Sequence, residues 1–234
     1  MGPAMCRLWT IRLDDVHQDP LAVVSSVERE RAEAFLRPAD RTRSLLAASL
    51  LRRAAGALLD MHPSDVDVRR DCRCGRPHGR PTLPGTGLHA SVSHAGDLVV
   101  VALTEAAEIG VDVEQVRDVD VTSLGRHVLA PGEVAPADRS AFFALWTRKE
   151  AVVKATGDGI AALARVHVHP GGSGPEVVGY DGRVGLRVSL VDLDMEPGYA
   201  GALAVLTERG VEIRREDAAP AAITPGEASR LHLT

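Results

Sequence analysis

The stretch Gly110-Val-Asp-Val-Glu114 is the part of the sequence that predicts the fold most directly. Apolar and acidic side chains alternate along it, which is typical of a β-strand with one buried face. On such a strand Asp112 and Glu114 project to the same side, with Cα atoms roughly 6 to 7 Å apart, while the two valines point to the other side. The carboxylates can either bind one divalent cation or form an ordinary solvated face, and this stretch alone does not separate the two.

A second stretch, Trp146-Thr-Arg-Lys-Glu-Ala-Val-Val-Lys154, predicts a helix. We expect the helix over residues 139–156 and its end at Gly157, because glycine readily adopts the left-handed conformation that closes a helix. Glu150 and Lys154 then lie one turn apart on the same face, and Lys149 is displaced from them by about 100°. The apolar residues 151–153 predict that the helix is half buried.

Lysine is rare in this chain. Of its 27 basic residues only Lys149 and Lys154 are lysines, and both lie in the predicted helix that carries Glu150. Arginine presents a planar fork of donors, whereas lysine presents a compact ammonium group. The pair therefore indicates two positions that require a compact cation.

A small polar segment, Ser91-Val-Ser-His-Ala-Gly96, precedes the apolar run 98–103. We expect a turn here, whose hydroxyl, imidazole and backbone donors suit a phosphate group. Arg80 and the basic run Arg37, Arg41 and Arg43 supply further cations, although a chain so rich in arginine contains such runs by chance. Together the segments predict acidic groups for a divalent metal and cations for phosphates.

The remaining pattern predicts a mixed α+β chain with a faint internal repeat of strand, helices and buried strand. The repeat suggests two halves, residues 1–108 and 109–234, with a cleft between them. The predicted elements are a strand at 8–13, helices within 23–59 that break near Pro38, a loop at 71–87, strands at 98–103 and 109–116, helices at 121–129 and 139–156, a strand at 165–168, a hairpin at 177–193 around Asp181-Gly182, a strand at 201–206 and a loosely packed tail from Glu216.

Composition excludes several classes of function. The chain lacks an apolar run long enough for a membrane span and a signal-peptide pattern, so we expect a cytoplasmic protein. A net charge of -5 and seven aromatic residues argue against nucleic-acid binding. Neither a P-loop nor a dinucleotide-binding glycine motif is present, which leaves metal-assisted chemistry on a pyrophosphate as the best fit.

In order and spacing, these segments resemble the signature of the surfactin-type 4'-phosphopantetheinyl transferases. The resemblance rests on residues 110–114, on residues 146–151 with Lys154, and on Ser93-His94 ahead of them; Pro197-Gly-Tyr199 is similar too. It extends from about Phe35 to Leu206. It implies a pseudo-twofold α+β fold in which coenzyme A binds in the cleft between the halves, and, by family analogy, a monomer.

The resemblance also implies a role for each motif residue. A magnesium ion is expected at Asp112, Glu114 and Glu150. The phosphates of coenzyme A are expected to contact Arg31, Arg43, Ser44, Arg80, Ser93, His94, Lys149 and Lys154. Three residues before Arg31 some family members carry another cation; this chain has Glu28 there, so that contact is expected to be absent.

The implied reaction moves the phosphopantetheine arm of coenzyme A onto a serine of an acyl, polyketide or peptidyl carrier protein and releases 3',5'-ADP. Magnesium neutralises charge on the pyrophosphate, while Lys154 orients it. The serine proton passes either to Glu150 or to a water on the metal. Glu150 and Lys154 are therefore the expected catalytic residues, and the carrier protein is a transient partner.

Two alternative functions come from other classes. A metal-dependent phosphodiester hydrolase would use the same acids on water, but the nine histidines are scattered along the chain and form no dense cluster with the acids. A zinc-stabilised interaction module would use Cys72, Cys74 and His78, which lack a fourth ligand nearby.

A docking site for the carrier protein is expected on the helix at 121–129. Leu124 and Val128 lie four residues apart on one face, with Arg126 and His127 to the side. The alternative is that both apolar residues pack into the core of the enzyme itself.

Overall fold

A computed structural model describes residues 2–15, 19–72, 75, 79–169 and 174–217. The helices are α1 (Ser26–Glu33), α2 (Pro38–Leu59), α3 (Val121–Val128) and α4 (Arg139–Thr156). The strands are β1 (Ala4–Arg12), β2 (His89–Ala95), β3 (Leu98–Thr104), β4 (Ile109–Gln115), β5 (Val166–His169), β6 (Glu176–Tyr180), β7 (Ser189–Asp192), β8 (Tyr199–Val205) and β9 (Val211–Glu216). In this part of the chain, no helix combines the length and the apolar character that crossing a membrane requires.

The strands form two principal sheets and one small one. The first sheet has the order β2-β3-β1-β9 and the second the order β4-β8-β7, while β5 pairs only with β6. Neighbouring strands are antiparallel except β1 and β9, which run parallel. The resulting mixture of sheets and helices confirms the predicted α+β class.

The two principal sheets face each other and each carries a helix on its outer side. Every residue of β3 is buried, because Val99, Val101 and Leu103 pack with α2 whereas the intervening residues pack towards the second sheet. In the same way Ala202 and Ala204 of β8 pack with the cluster around α4. The layers are therefore α2, first sheet, second sheet and α4, which gives the predicted twofold repetition of a helix on a sheet.

Helix α4 lies unusually close to β4, and a glycine permits the approach. A Cβ atom added at Gly110 would lie 2.6 Å from the amide nitrogen of Ala155 and would overlap the carbonyl oxygen of Ala151. Any larger side chain would therefore push the helix off the strand. The contact fixes the height of α4 above the acidic face of β4.

The boundary between the predicted halves coincides with the start of β4, but the halves are interwoven. Strand β9 returns from the second half and extends the first sheet beside β1, with Ala4 opposite Val211 and Trp9 opposite Glu216. The sequence analysis did not predict β9, although Val211 and Ile213 alternate with polar residues. The division at residue 108 stays a prediction.

Most predicted helices and strands are confirmed, including the end of α4 at Gly157, which has φ 76°. Two predictions are wrong. Ser93 and His94 lie on a strand, β2, because this segment pairs with β3 along its whole length and turns only at Gly96. The segment 177–193 is not a hairpin, since β6 pairs with β5 and β7 pairs with β8.

The turn after β6 is held by a residue just beyond α4, and not by pairing of β6 with β7. Asp158, just beyond α4, accepts hydrogen bonds from the Tyr180 hydroxyl at 2.5 Å and from Arg183 at 2.6 and 2.7 Å. Arg183 lowers the pKa of Asp158 well below its usual range. These contacts hold the turn against the end of α4 and direct the chain towards the second sheet.

We predict that Gly110→Ala destabilises the protein, because its Cβ has no space beneath α4. Overpacking of this kind costs about 2 kcal/mol, which lowers the melting temperature of a chain of this size by about 4 to 8 °C. Gly210→Ala is the matched control, since no heavy atom lies within 4 Å of its added Cβ. Equal melting temperatures for the two variants would contradict the role of Gly110.

Candidate active site

Helix α4 is positioned by signals at both of its ends. The Asp138 side chain accepts a hydrogen bond from the amide of Ala141 and so caps the first turn, and Gly157 closes the last. Between them, Glu150 is buried and Lys154 is half buried over the second sheet. The predicted one-turn spacing therefore places both side chains above the Asp112 face of β4.

Lys154 joins the two halves of the protein at one point. Its Nζ donates to Asp112 Oδ1 at 2.6 Å, to Ser93 Oγ at 2.9 Å and to the carbonyl oxygen of Val111 at 3.1 Å. Ser93 also donates to Asp112 Oδ1 at 2.7 Å. Three acceptors converge on one small donor, which is the geometry of an ammonium group rather than of a planar guanidinium.

The three predicted metal ligands form an electrostatically strained group. Asp112 Oδ2 is buried and has no hydrogen-bond partner among the described residues. Burial, and next the charge of Asp112, raise the pKa of both Glu114 and Glu150 to about 7. The charge of Lys154 lowers both pKa values but does not cancel the rise, and a divalent cation would supply further counter-charge.

These residues fit a hard cation by their chemistry, since Mg²⁺ is bound through carboxylate oxygens. Within the described ranges, however, no three His, Cys, Asp or Glu side chains already have a metal-binding arrangement. Lys154 holds Oδ1 of Asp112 in this structure and leaves Oδ2 open to a further partner. Binding of a cation would therefore require the carboxylates to move closer together.

His94 lies close enough to Lys154 and Arg43 for both charges to act on it, and the phosphate contacts of His94 and Arg43 stay predictions. Burial, and next the charges of Lys154 and Arg43, lower the pKa of His94 to about 4, so its ring is neutral near pH 7. Arg43 donates to the Gly96 carbonyl oxygen at 2.6 Å and to Asp40 at 2.7 Å. It therefore also fixes the turn that follows His94.

Arg80 reaches the same region from the loop before β2. Its Nη1 donates to the Ala155 carbonyl oxygen at 2.8 Å, one residue beyond Lys154, and Nη2 lies 3.6 Å from Glu108. The neighbouring carbonyl groups are those left unpaired at the end of α4. Arg80 thus adds a cation near the end of the helix.

Arg31 and Ser44 lie farther along the first half. Ser44 is buried on α2. Arg31 is half buried on α1, and its pKa is lowered by burial, against the attraction of Glu28. Glu28 is not available to a ligand through its Oε2, because that oxygen accepts from the Ser25 backbone at 2.8 Å and from Arg52 at 2.7 Å.

The structure does not support the predicted phosphate contact of Lys149. Its side chain is 0% exposed and is directed to Glu133, so its ammonium group has no free surface to offer a phosphate. Its Nζ donates to the Val128 carbonyl oxygen at 2.8 Å and to Glu133 Oε2. Burial lowers the pKa of Lys149, and the hydrogen bond to Glu133 opposes this. The compact cation is needed here for the core.

The prediction that Val128 lies on a docking surface is also wrong. Val128 is fully buried in the cluster around α4, and Leu124 packs against the same cluster, so the core alternative is right for both.

The zinc alternative rests on three residues. Cys72 is a free thiol in the structure, whereas Cys74 and His78 fall outside the described residues.

The sequence did not reveal the structural roles of Tyr199 near the site and of Glu133 in the core. Tyr199 was noted only as part of a motif, yet its hydroxyl accepts from the amide of Asp97 at 3.0 Å and so holds the β2–β3 turn from the opposite half. Glu133 lies 16 residues before Lys149. Residues 127–138 carry no periodic signal that would have placed Glu133 beneath α4.

Comparison with known proteins identifies the family of this chain. The family model of the 4'-phosphopantetheinyl transferase superfamily matches residues 108–203, and the model of the 4'-phosphopantetheinyl transferase N-terminal region matches residues 9–106. The first match contains Asp112, Glu114 and α4, and the second contains α1, α2 and Ser93-His94.

Individual relatives point to the same family. The 4'-phosphopantetheinyl transferase HetI of Nostoc sp. is 34% identical over 172 residues, which is 69% of this chain and 72% of that protein. The transferase psf-1 of Bacillus pumilus is 31% identical, with 59% of this chain and 60% of that protein aligned. For gsp of Aneurinibacillus migulanus the identity is 27%, over 58% of each chain. The chain belongs to the 4'-phosphopantetheinyl transferase superfamily and is a transferase of that class.

We predict that Lys149→Met lowers the melting temperature more than Lys154→Met does. Methionine fills the buried space but leaves the Glu133 carboxylate without its cation, and breaking a buried pair costs about 3 to 5 kcal/mol. Lys154 is partly exposed, so its loss is less severe. Thermal unfolding of the two variants is the measurement, and the double variant Lys149→Met/Glu133→Gln should recover part of the loss. The reverse order of melting temperatures would contradict the assignment.

Proposed function

We propose that this protein transfers the 4'-phosphopantetheine arm of coenzyme A to a serine of a carrier protein and releases 3',5'-ADP. The single observation behind the proposal is the Asp112 carboxylate. One of its oxygens is held by Lys154 and Ser93, while the other is buried without a partner among the described residues, beside Glu114 and Glu150. These acids lie close to Lys154, and the charges of Lys154 and Arg43 both act on the neighbouring His94. A metal-bound pyrophosphate would supply a cation to the acids and an anion to Lys154 and Arg43.

Asp112, Glu114 and Glu150 are the proposed ligands of Mg²⁺. Bound there, the ion would neutralise negative charge on the pyrophosphate and on the departing 3',5'-ADP. The raised pKa values of Glu114 and Glu150 support this, because burial, and next the charge of Asp112, make their ionised forms costly unless a cation lies nearby.

The residues opposite the acids would hold and orient the phosphates. Lys154 would supply the ammonium group nearest to the reacting phosphorus, with Ser93 as a neighbouring hydroxyl. His94 is neutral, so it can offer one N–H donor without adding charge. Arg43 and Arg80 would screen the more distant oxygens.

The carrier serine must lose its proton as it attacks. Its oxygen forms a bond to the β-phosphorus of coenzyme A, the bond from that phosphorus to the bridging oxygen breaks, and the electron pair leaves with 3',5'-ADP. The serine proton would pass to Glu150 or to a water molecule in the site. Residence in the cytoplasm, a monomeric state and a role in polyketide or nonribosomal peptide biosynthesis remain predictions of the sequence.

The test is mass spectrometry of an apo carrier protein incubated with enzyme, coenzyme A and magnesium. We expect the carrier to gain the mass of the phosphopantetheine arm. Asp112→Asn keeps the shape of the side chain but removes its charge, so turnover should fall on the order of a hundredfold or more, because metal stabilisation supplies several kcal/mol.

Asp118→Asn is the control, because Asp118 is exposed and its ion pair with Arg139 is at the surface, where such pairs contribute little. This variant should match the wild type. Full activity of Asp112→Asn would refute the metal assignment. Release of free phosphopantetheine without modification of the carrier would identify a hydrolase instead.

A further inference from the structure

The β2–β3 turn, Gly96-Asp97, is held from both halves of the protein. From the first half, Arg43 donates to the Gly96 carbonyl oxygen at 2.6 Å. The amide of Leu13, also in the first half, donates to the Asp97 carbonyl oxygen at 2.9 Å. From the second half, the Tyr199 hydroxyl accepts from the amide of Asp97 at 3.0 Å. Three backbone groups of this two-residue turn therefore have partners outside the β2–β3 hairpin.

Tyr199 contacts the turn from a fixed support. It begins β8 opposite Gln115, the residue that follows Glu114 on β4. Its ring packs against the apolar cluster between the two principal sheets. The backbone just before it is fixed as well, because the amide of Val116 donates to the Gly198 carbonyl oxygen at 2.8 Å. The hydroxyl group is therefore an acceptor whose position the core of the second half sets.

The contact between the turn and the second half is tight. A Cβ atom added at Gly96 would overlap the Tyr199 hydroxyl oxygen and would lie 3.0 Å from the carboxamide of Gln115. A second link across the halves lies nearby, where Arg12 at the end of β1 pairs with Glu196. The turn thus has no room to move towards the second half, and the Tyr199 hydrogen bond keeps it from moving away.

The turn in its place positions two of the residues that are expected to contact phosphates. His94 lies two residues before Gly96 on β2. Arg43 makes two hydrogen bonds, one to the Gly96 carbonyl oxygen and one to Asp40 at 2.7 Å. Because a guanidinium group is planar and rigid, these two bonds set its orientation. A displaced turn would therefore rotate Arg43 and carry His94 with it.

We propose that Tyr199 is a positioning residue for the binding of coenzyme A: its hydroxyl group holds the β2–β3 turn, and the turn holds Arg43 and His94 where the phosphates bind. The proposal rests on the proposed function. Tyr199 acts through the turn and needs no contact with the ligand. Because β8 pairs with β4, the same hydrogen bond ties the position of Arg43 and His94 to that of the acids on β4.

The test is Tyr199→Phe, which keeps the ring in the core and removes the acceptor. We expect the KM for coenzyme A to rise about three- to tenfold, on the scale of one hydrogen bond. The phosphates are bound before and during the reaction, so kcat should stay within about twofold of the wild type, as should the KM for the carrier protein. Titration calorimetry with coenzyme A should show the same loss of affinity.

Thr104→Val is the matched control. Thr104 lies at the opposite end of β3, where its hydroxyl donates to the Met5 carbonyl oxygen at 2.7 Å. Each variant thus removes one hydroxyl group that holds the same hairpin. Thr104→Val should lower the melting temperature and leave the affinity for coenzyme A unchanged. An unchanged affinity in Tyr199→Phe, or an equal loss of affinity in the two variants, would overturn the proposal.

A second comparison tests the contact by rescue. Gly96→Ala places a methyl group against the Tyr199 hydroxyl and displaces the turn, so we expect it to weaken the binding of coenzyme A more than about tenfold. The double variant Gly96→Ala/Tyr199→Phe lacks the oxygen that the methyl group overlaps, and it should recover about threefold of the loss or more. A double variant that binds no better than Gly96→Ala would contradict the coupling between Tyr199 and the turn.

The failure of this proposal can be told from failure of the proposed function. If the wild type transfers the arm to a carrier but Tyr199→Phe keeps its affinity for coenzyme A, only the role of Tyr199 is wrong. If the wild type does not bind coenzyme A, the proposed function fails and the role of Tyr199 fails with it.

Discussion

The close contact of α4 with β4 is the constraint on which the site depends. Gly110 lets the backbone of the helix approach the strand, and this approach sets the distance between Lys154 and Asp112. Because side chains alternate along β4, the residues on the glycine face are also the acidic ones. The packing contact and the proposed metal ligands are therefore consecutive positions of one strand face, and neither can shift without the other.

The two facing sheets explain why charged groups can be buried here. Strand β2 brings Ser93 from the first half, β4 brings Asp112 from the second, and Lys154 donates to both. A buried carboxylate is costly by itself, and a cation beside it offsets part of that cost. The strain that remains on Glu114 and Glu150 is what a bound metal would remove. Core packing thus holds Ser93, Asp112 and Lys154 together.

Much of this arrangement follows from local patterns in the sequence. The period of two along β4 predicted which side chains share a face, and Gly157 predicted where α4 ends. Local patterns failed where a distant partner decides the outcome. The direction of Lys149 is set by Glu133, and the fate of Glu28 is set by Arg52. The direction in which a helical side chain such as Lys149 points can be predicted from sequence only when its partner on that face of the helix is known.

We propose above all that Asp112, Glu114 and Glu150, with Lys154 beside them, bind a divalent cation and a pyrophosphate together. The most direct test is the affinity for coenzyme A measured by calorimetry in Mg²⁺ and again in a chelator. We predict that Mg²⁺ tightens the binding of coenzyme A by about tenfold or more, and that coenzyme A tightens the binding of Mg²⁺ by the same factor, since coupling between two ligands is reciprocal. Equal affinities for coenzyme A with and without Mg²⁺ would contradict the claim.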